Sequence, residues 1–366
     1  MAISKPLFKR IDITYTPGKY VKEFDGWRGF GILFVVLAHY LPSLFIGSWV
    51  FMEMFFVMSG FLITGILIDS KSKEGYYKKF ILRRVLRVFP LYYICLIILF
   101  FLIPATWLDL SYYRSHQLWF WFYIENWLYA LQGWPKVKAL HHFWSLAIEE
   151  QFYIFWPFVV YVFSTKNLLR FCIFLFFFSI VFRNTGMMMG FVMPFPYVAT
   201  FARMEGIALG ALIAILIRNN KSVLEKLAAP VTIISGFLIV VLFITARSMN
   251  FQHFIHYSIN YSMVDLFFAG MITLTIAKNE LPLLKRIFNS PVMKQLGVMS
   301  YCIYIFHYPI LVLAEYNLDN YFYRLTGSEG LAKLLYRLVA FAITIPIVLF
   351  FHKKIEVPLW RYKKAV

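Results

Sequence analysis

Charge is what this 366-residue chain lacks most: Asp, Glu, Lys and Arg together make up 15% of it, and acidic residues number only 18. So low a charged fraction excludes an intrinsically disordered chain, which stays solvated through high charge and few apolar residues. Cysteine is scarce as well. Cys95, Cys172 and Cys302 lie far apart, each inside an apolar run, which argues against a disulfide framework or a metal site and leaves three small buried hydrophobes. The first twenty-odd residues are polar, so a cleavable secretory leader is not expected. Internal repeats, low-complexity linkers and any stretch long enough for an attached soluble domain are also missing.

What is present is apolar. Hydrophobic residues make up 61% of the chain and aromatics 20%, with 41 Phe, 24 Tyr and 10 Trp, against about 45–50% apolar residues in an average soluble domain. A single water-soluble core stops growing near about 250–300 residues and could not hide so much apolar surface. The expected fold is therefore all-α: a polytopic membrane protein. Runs of about 20 apolar residues, the length needed to cross a bilayer, occur near 29–47, 49–68, 88–104, 144–163, 168–183, 203–217, 230–246, 261–277, 296–316 and 332–352. A further stretch, 117–131, is short and rich in Trp and Tyr, a composition suited to a re-entrant or interfacial helix.

Charge asymmetry sets the expected orientation. With ten spans and both termini in the cytoplasm, 27 of the 36 Lys and Arg fall on the inner side, as the positive-inside rule requires. A full crossing at 117–131 would move the basic loops 218–229 and 278–295 outside. The formal net charge of +18 is thus read as membrane topology, and nucleic acid is not an expected partner because no basic stretch sits in a binding motif. The expected organisation is a cytoplasmic tail (1–23), one transmembrane domain (24–352) and a second cytoplasmic tail (353–366), in the cytoplasmic (inner) membrane.

Ionisable groups inside spans are costly and mark candidate sites. They are His39, Glu53, Glu149, Glu150, Arg203, Glu205, Asp265 and His307, with Arg28 at the inner mouth of the first span. The expected span ends put His39 about 12 Å, Glu149 about 8 Å and His307 about 13 Å from the outer surface, at 1.5 Å per residue. One buried site could hold all three. Arg28 and His39 are eleven residues apart, about three helical turns plus 20°, so both lie on one helix face about 16 Å apart. That spacing suits a long ligand with an anionic head and a reactive tip, the form of a coenzyme A thioester. Arg84 and Arg87, three apart, are neighbours on a helix surface and can hold phosphates bidentately.

These pieces resemble a known family. The run Phe24-Asp25-Gly26-Trp27-Arg28-Gly29-Phe30 leading to His39 is similar to the opening of the acyltransferase-3 family of integral membrane O-acyltransferases. So are Phe55-Phe56-Val57-Met58-Ser59-Gly60-Phe61-Leu62-Ile63, the Arg84/Arg87 pair before Pro90, and Phe143-Trp144-Ser145-Leu146-Ala147-Ile148-Glu149-Glu150-Gln151-Phe152-Tyr153. Arg203-Met204-Glu205-Gly206, the run from Gly297 through His307 to Pro309, and Glu356-Val357-Pro358 complete an ordered set from about residue 24 to 360.

The resemblance implies transfer of an acyl group, most often acetyl, from cytoplasmic acyl-CoA to a hydroxyl of a sugar in a cell-surface or lipid-linked glycan. Acetyl-CoA is then a donor co-substrate, with no bound cofactor and no metal. It implies an essential histidine at His39 and donor-binding arginines at Arg28, Arg84 and Arg87. Glu149, with Glu150 next, is the carboxylate expected to orient the His39 ring. Arg203, Glu205, His307, Glu53 and Ser145 are secondary candidates. The chain departs from the family in having Glu205, the expected partner of Arg203, where Asp is usual. A glycan or lipid-intermediate transporter is the alternative, since buried charges in a helical bundle suit that class too. A glycerolipid acyltransferase is disfavoured because none of the eight histidines begins a His-x4-Asp box. Acceptor identity and hydroxyl position, the acyl group, whether His39 acts as general base or carries the acyl group transiently, and oligomeric state stay open.

Overall fold

A computed structural model describes residues 10–191, 193–278 and 280–360. Among them the regular structure is helical, apart from one isolated antiparallel bridge between Ile13 and Ala277. The helices run α1 (Glu23–Tyr40), α2 (Val50–Ser70), α3 (Tyr76–Ile97), α4 (Ser111–Ser115), α5 (Gln117–Trp121) and α6 (Glu125–Gln132). Next come α7 (Trp144–Val162), α8 (Thr165–Met188), α9 (Phe195–Val198), α10 (Met204–Asn219), α11 (Lys221–Ala246) and α12 (Tyr261–Thr275). The last are α13 (Pro282–Phe288), α14 (Pro291–Val298), α15 (Ser300–Thr326) and α16 (Glu329–Phe351).

Local chemistry explains many boundaries. Ser164, Ser290 and Ser328 each stand before a helix in extended backbone and accept a hydrogen bond from the amide three residues on, meeting one of the orphan donors of the first turn. Pro282 and Pro291 open α13 and α14, where a missing N–H costs nothing. Gly327 closes α15 in the left-handed conformation, φ +65°. Pro90, Pro157, Pro230, Pro309 and Pro346 lie inside long helices. Such positions are tolerated in membrane helices, where neighbours satisfy the freed carbonyls.

Five helical segments are long and apolar enough to cross a membrane: Ile46–Ser70, Tyr76–Leu102, Thr165–Met188, Lys221–Ala246 and Glu329–Trp360. Together α14 and α15 would make a sixth, bent by 73°. The protein is therefore a multi-pass membrane protein. Helices also occupy the other expected spans, but α10 and α12 have only 16 and 15 residues. Most of their residues are buried against other helices. The contrast is plain between α2, 72% buried over its apolar window, and α11, only 17% buried there. Phe237, Leu238 and Ile244 face outward from α11.

Three expectations are corrected. The stretch 117–131 is not one helix: Tyr123, with φ +54°, breaks it into α5 and α6, and Phe120, Asn126 and Tyr129 are buried in protein. The first helix ends at Tyr40, not near residue 47, so His39 sits in its last turn rather than two turns inside. The ninth run is broken at Met299. In addition, the described part of the N-terminal tail is not free. Ile11 and Thr14 donate backbone hydrogen bonds to Glu225 and Ile276, Lys278 donates one to Asp12, and Ile13 is fully buried.

Glycines set the closest helix approaches. A Cβ at Gly60 of α2 would overlap the Ile207 carbonyl of α10, and one at Gly210 would overlap the Val57 carbonyl in return. Gly26 and Gly29 meet the backbone of Phe288 and Met293 in the same way. With small residues at the contact, backbones pack at van der Waals distance, which drives association where lipid supplies no hydrophobic contrast. Gly60→Val should lower the stability of the detergent-solubilised protein by at least about 1–3 kcal/mol. Gly330→Ala, which meets nothing closer than the Ser328 hydroxyl at 4.0 Å, should leave its thermal unfolding midpoint unchanged or slightly raised.

Candidate active site

The motif around Asp25 to Gly29 divides its work by helix face. Gly26 and Gly29 press α1 onto α13 and α14, and Trp27 packs against Phe288 with ring centroids 4.3 Å apart and planes tilted by 37° while its indole N–H donates to Thr275 at 3.0 Å. Arg28 is thereby turned to the opposite side, where α1, α2, α3, α7 and α15 enclose a cavity of about 300 Å³. Tyr15, Lys19 and Tyr20 of the N-terminal segment stand at one end of it, and Ile32, Ser145 and Tyr304 at the other.

The cavity wall is cationic. Arg28 is 3.6 Å from Asp25. Arg84 and Arg87 of α3 also line it, and among the described residues neither has an acidic partner within salt-bridge distance. The Arg84 guanidinium lies between the rings of Phe80 and Tyr153, 5.6 and 5.5 Å from their centroids, and its buried Nε has no hydrogen-bond partner. Glu149 and Glu150 of α7 face the same space. Glu149 accepts a hydrogen bond from the Tyr153 hydroxyl at 3.2 Å, and Tyr153 is 2.8 Å from Ser59. Arg28, Arg84, Arg87 and Lys19 face three carboxylates, Asp25, Glu149 and Glu150, and with Arg84 and Arg87 unpaired among the described residues the wall makes a receptor for an anion.

His39 lies beyond the far end of this cavity rather than on its wall. Its Nδ1 is 2.8 Å from Nε2 of His307, and its ring stacks on Tyr308 at 4.1 Å. Glu149 is therefore not the group that orients it, a correction with a simple cause. The carboxylate is held by Tyr153 on the arginine side, whereas α15 brings His307 directly against α1. His307 Nδ1 faces two carbonyls of its own helix, Ile303 and Tyr304, each at 2.9 Å. Carbonyls only accept, so Nδ1 of His307 carries the proton and its Nε2 is an acceptor. His39 then donates from Nδ1, leaving Nε2 of His39 with a free lone pair.

A wall one side chain thick separates the cavity from this pair. Tyr304 donates to the His142 carbonyl at 2.6 Å and accepts from Ser145 at 2.7 Å. Its ring centroid is 5.9 Å from that of His307.

The remaining candidates form a separate cluster. Arg203 pairs with Glu53, and Arg183 pairs with Glu205 at 2.5 Å; Ser262 donates to Glu205 at 2.7 Å. The expected Arg203–Glu205 partnership is thus replaced by two crossed pairs. All four charged residues are buried, with Asp265 beside them. Arg203 sits 4.2 Å over the Tyr261 ring and 5.2 Å from Tyr197. None of these four lines the arginine cavity, and the cluster ties α2, α8, α10 and α12 together.

Sequence reasoning missed Arg183, Tyr304 and His142. His142 lies two residues before an expected span begins, so a search for charges inside spans passes over it, whereas Arg183 is the last residue of the expected span 168–183. The spacing of His142 to Trp144, at the head of α7, was the available signal.

Fold and site define a multi-pass membrane protein with a cationic cavity leading towards a hydrogen-bonded histidine pair. The family described as Acyltransferase domain matches residues 21–353, and the chain belongs to that family. It is 28% identical over 331 residues to the O-acetyltransferase OatA of Staphylococcus aureus (strain NCTC 8325 / PS 47), covering 84% of this chain and 53% of that protein. It is 29% identical over 318 residues to the peptidoglycan O-acetyltransferase OatA of Listeria monocytogenes, covering 81% and 50%. A putative O-acetyltransferase of Staphylococcus aureus strain COL is 25% identical over 359 residues, 89% of this chain and 57% of that protein. The chain spans about half the length of the curated relatives it matches. No solved structure matches it.

The crossed pairs carry a stability prediction. Arg203→Met strands the Glu53 carboxylate in a dry interior and should cost about 3–5 kcal/mol, while Arg203→Met with Glu53→Met should recover most of that loss. Thermal unfolding in detergent, followed by tryptophan fluorescence, measures both.

Proposed function

We propose that this protein is a membrane O-acetyltransferase that moves an acetyl group from cytoplasmic acyl-CoA to a sugar hydroxyl of a cell-surface or lipid-linked glycan. The observation that carries the reading is the pair of unpartnered arginines, Arg84 and Arg87, on a cavity whose far wall abuts His39 and His307. Family membership and the names of the OatA relatives support the chemistry. In this reading ten helices span the cytoplasmic membrane with both termini inside, as the distribution of Lys and Arg suggests, and α4 to α6 form the outer interfacial segment.

The donor enters past Lys19 and Tyr20. Its phosphates rest on Arg84, Arg87 and Arg28, with Glu149 and Glu150 limiting the positive charge. The pantetheine arm runs along α1 towards Ser145 and Tyr304, and the thioester reaches His39 when the Tyr304 wall yields. His39 Nε2, unprotonated because His307 holds the other nitrogen, removes the acceptor proton. The alcohol oxygen bonds to the carbonyl carbon, the C–S bond breaks, and the proton passes from His39 to the departing sulfur, giving the ester and free coenzyme A.

His39→Ala should abolish acetyl transfer while leaving membrane insertion and accumulation normal; retained transfer would overturn the reading. Charge reversal at Arg84 and Arg87 should raise the KM for acetyl-CoA at least about tenfold, from the loss of charge-assisted hydrogen bonds. The acceptor KM should stay as it was. An unchanged donor KM would reduce both arginines to topology determinants.

A further inference from the structure

We infer that Lys19 recognises the 3′-phosphate of the acyl-CoA donor and so sets the choice of thioester; this rests on the acyltransferase reading above. Residues 15–21 form a strap across one end of the arginine cavity, which Tyr15, Lys19, Tyr20 and Val21 line. The strap is fixed on both sides. Before it, Ile13 is fully buried and bridges to Ala277, and the Thr14 amide donates to the Ile276 carbonyl. After it, the Phe24 amide at the start of α1 donates to the Val21 carbonyl at 3.1 Å, and the Tyr20 hydroxyl donates to Asp25. Between these anchors the Lys19 amide donates to the Thr16 carbonyl at 3.1 Å, closing a turn with Pro17 and Gly18 in its middle. Gly18 has φ +82°, as the third position of a type II turn requires, and Pro17 supplies the φ of the second. Backbone geometry thus holds Lys19 at the cavity mouth.

Phe24, Asp25, Arg28 and Ile32 of α1 all line the cavity, so order along that helix is order along the cavity. The helix starts at Glu23, five residues before Arg28, or about 7.5 Å at 1.5 Å per residue. Lys19 lies beyond that start, on the side of Arg28 away from His39. A ligand reaching outward from His39 therefore meets Ser145 and Tyr304, then the three arginines, then Lys19. An acyl-CoA presents its parts in the same order: thioester, uncharged pantetheine arm, diphosphate, and last the ribose 3′-phosphate.

The residue types match that order. Arginine forks suit the neighbouring oxygens of a diphosphate, and the terminal phosphate monoester suits an ammonium on a flexible stem. Lys19 has no carboxylate within salt-bridge distance among the described residues. The Asp25 carboxylate, which would repel a phosphate at this end, is engaged by the Tyr20 hydroxyl and by Arg28 at 3.6 Å. Of the donor's three phosphates, two rest on the arginines and the third meets Lys19.

The test measures binding of coenzyme A and of 3′-dephospho-coenzyme A to the full chain in detergent by isothermal titration calorimetry, with no acceptor present. The wild-type chain should bind coenzyme A roughly tenfold more tightly, the worth of one hydrogen bond to a charged group. Lys19→Ala should abolish that preference by weakening coenzyme A alone, and Lys19→Arg should keep most of it. Lys22→Ala removes an equal charge from a residue that does not line the cavity, and should leave both affinities unchanged. The assignment is overturned by a wild-type chain without preference, by a preference that survives Lys19→Ala, by Lys19→Ala weakening both ligands alike, or by an equal loss in Lys22→Ala. In each of those cases coenzyme A still binds and the donor reading stands. Failure of the wild-type chain to bind either ligand would instead overturn the acyl-CoA reading, and the role of Lys19 with it.

Discussion

The hydrogen bond between His39 and His307 is the constraint on which the site depends. It joins the last turn of α1 to the first third of α15, and its direction is decided by two backbone carbonyls that can only accept. The order of protonation follows from there: Nδ1 of His307, then Nδ1 of His39, leaving the outward nitrogen of His39 as the base. A carboxylate in the place of His307 would orient the ring as well but would add a buried charge, which a low-dielectric interior penalises. A second neutral imidazole avoids that cost.

The cationic cavity works by the opposite logic. Arg84 and Arg87 have no acidic partner among the described residues, so their hydrogen-bonding capacity is open to a ligand. Elsewhere in the interior two arginines are closed off by carboxylates, Arg183 by Glu205 and Arg203 by Glu53. The two clusters use the same residue types for different ends. One glues helices together through closed pairs, and the other is left open towards the end of the molecule where the N-terminal segment lies.

Several features of the site were legible in the chain. The eleven-residue interval from Arg28 to His39 places both on one face because α1 is a regular helix across that interval, and the three-residue interval from Arg84 to Arg87 does the same on α3. Depth was less legible. An apolar run continues past Tyr40 to residue 47, but the helix stops at Tyr40, so hydropathy overestimated how far His39 lies inside its span. The expected alliance of His39 with Glu149 failed for a different reason: Tyr153 holds the carboxylate on the arginine side, and α15 brings His307 against α1. Similar depth on two helices says nothing about which faces meet.

Composition and periodicity alone determined that the chain is a helical membrane protein, which helices carry arginine pairs and which residues share a face, because those properties are local to one segment. Tertiary structure alone decided that position 39 meets position 307, that Glu205 takes Arg183 rather than Arg203, and that the His142 ring packs beside those of Tyr304 and His307. Those pairings depend on how closely glycine-lined backbones can approach, and that distance is a property of two surfaces in contact, not of either sequence segment by itself.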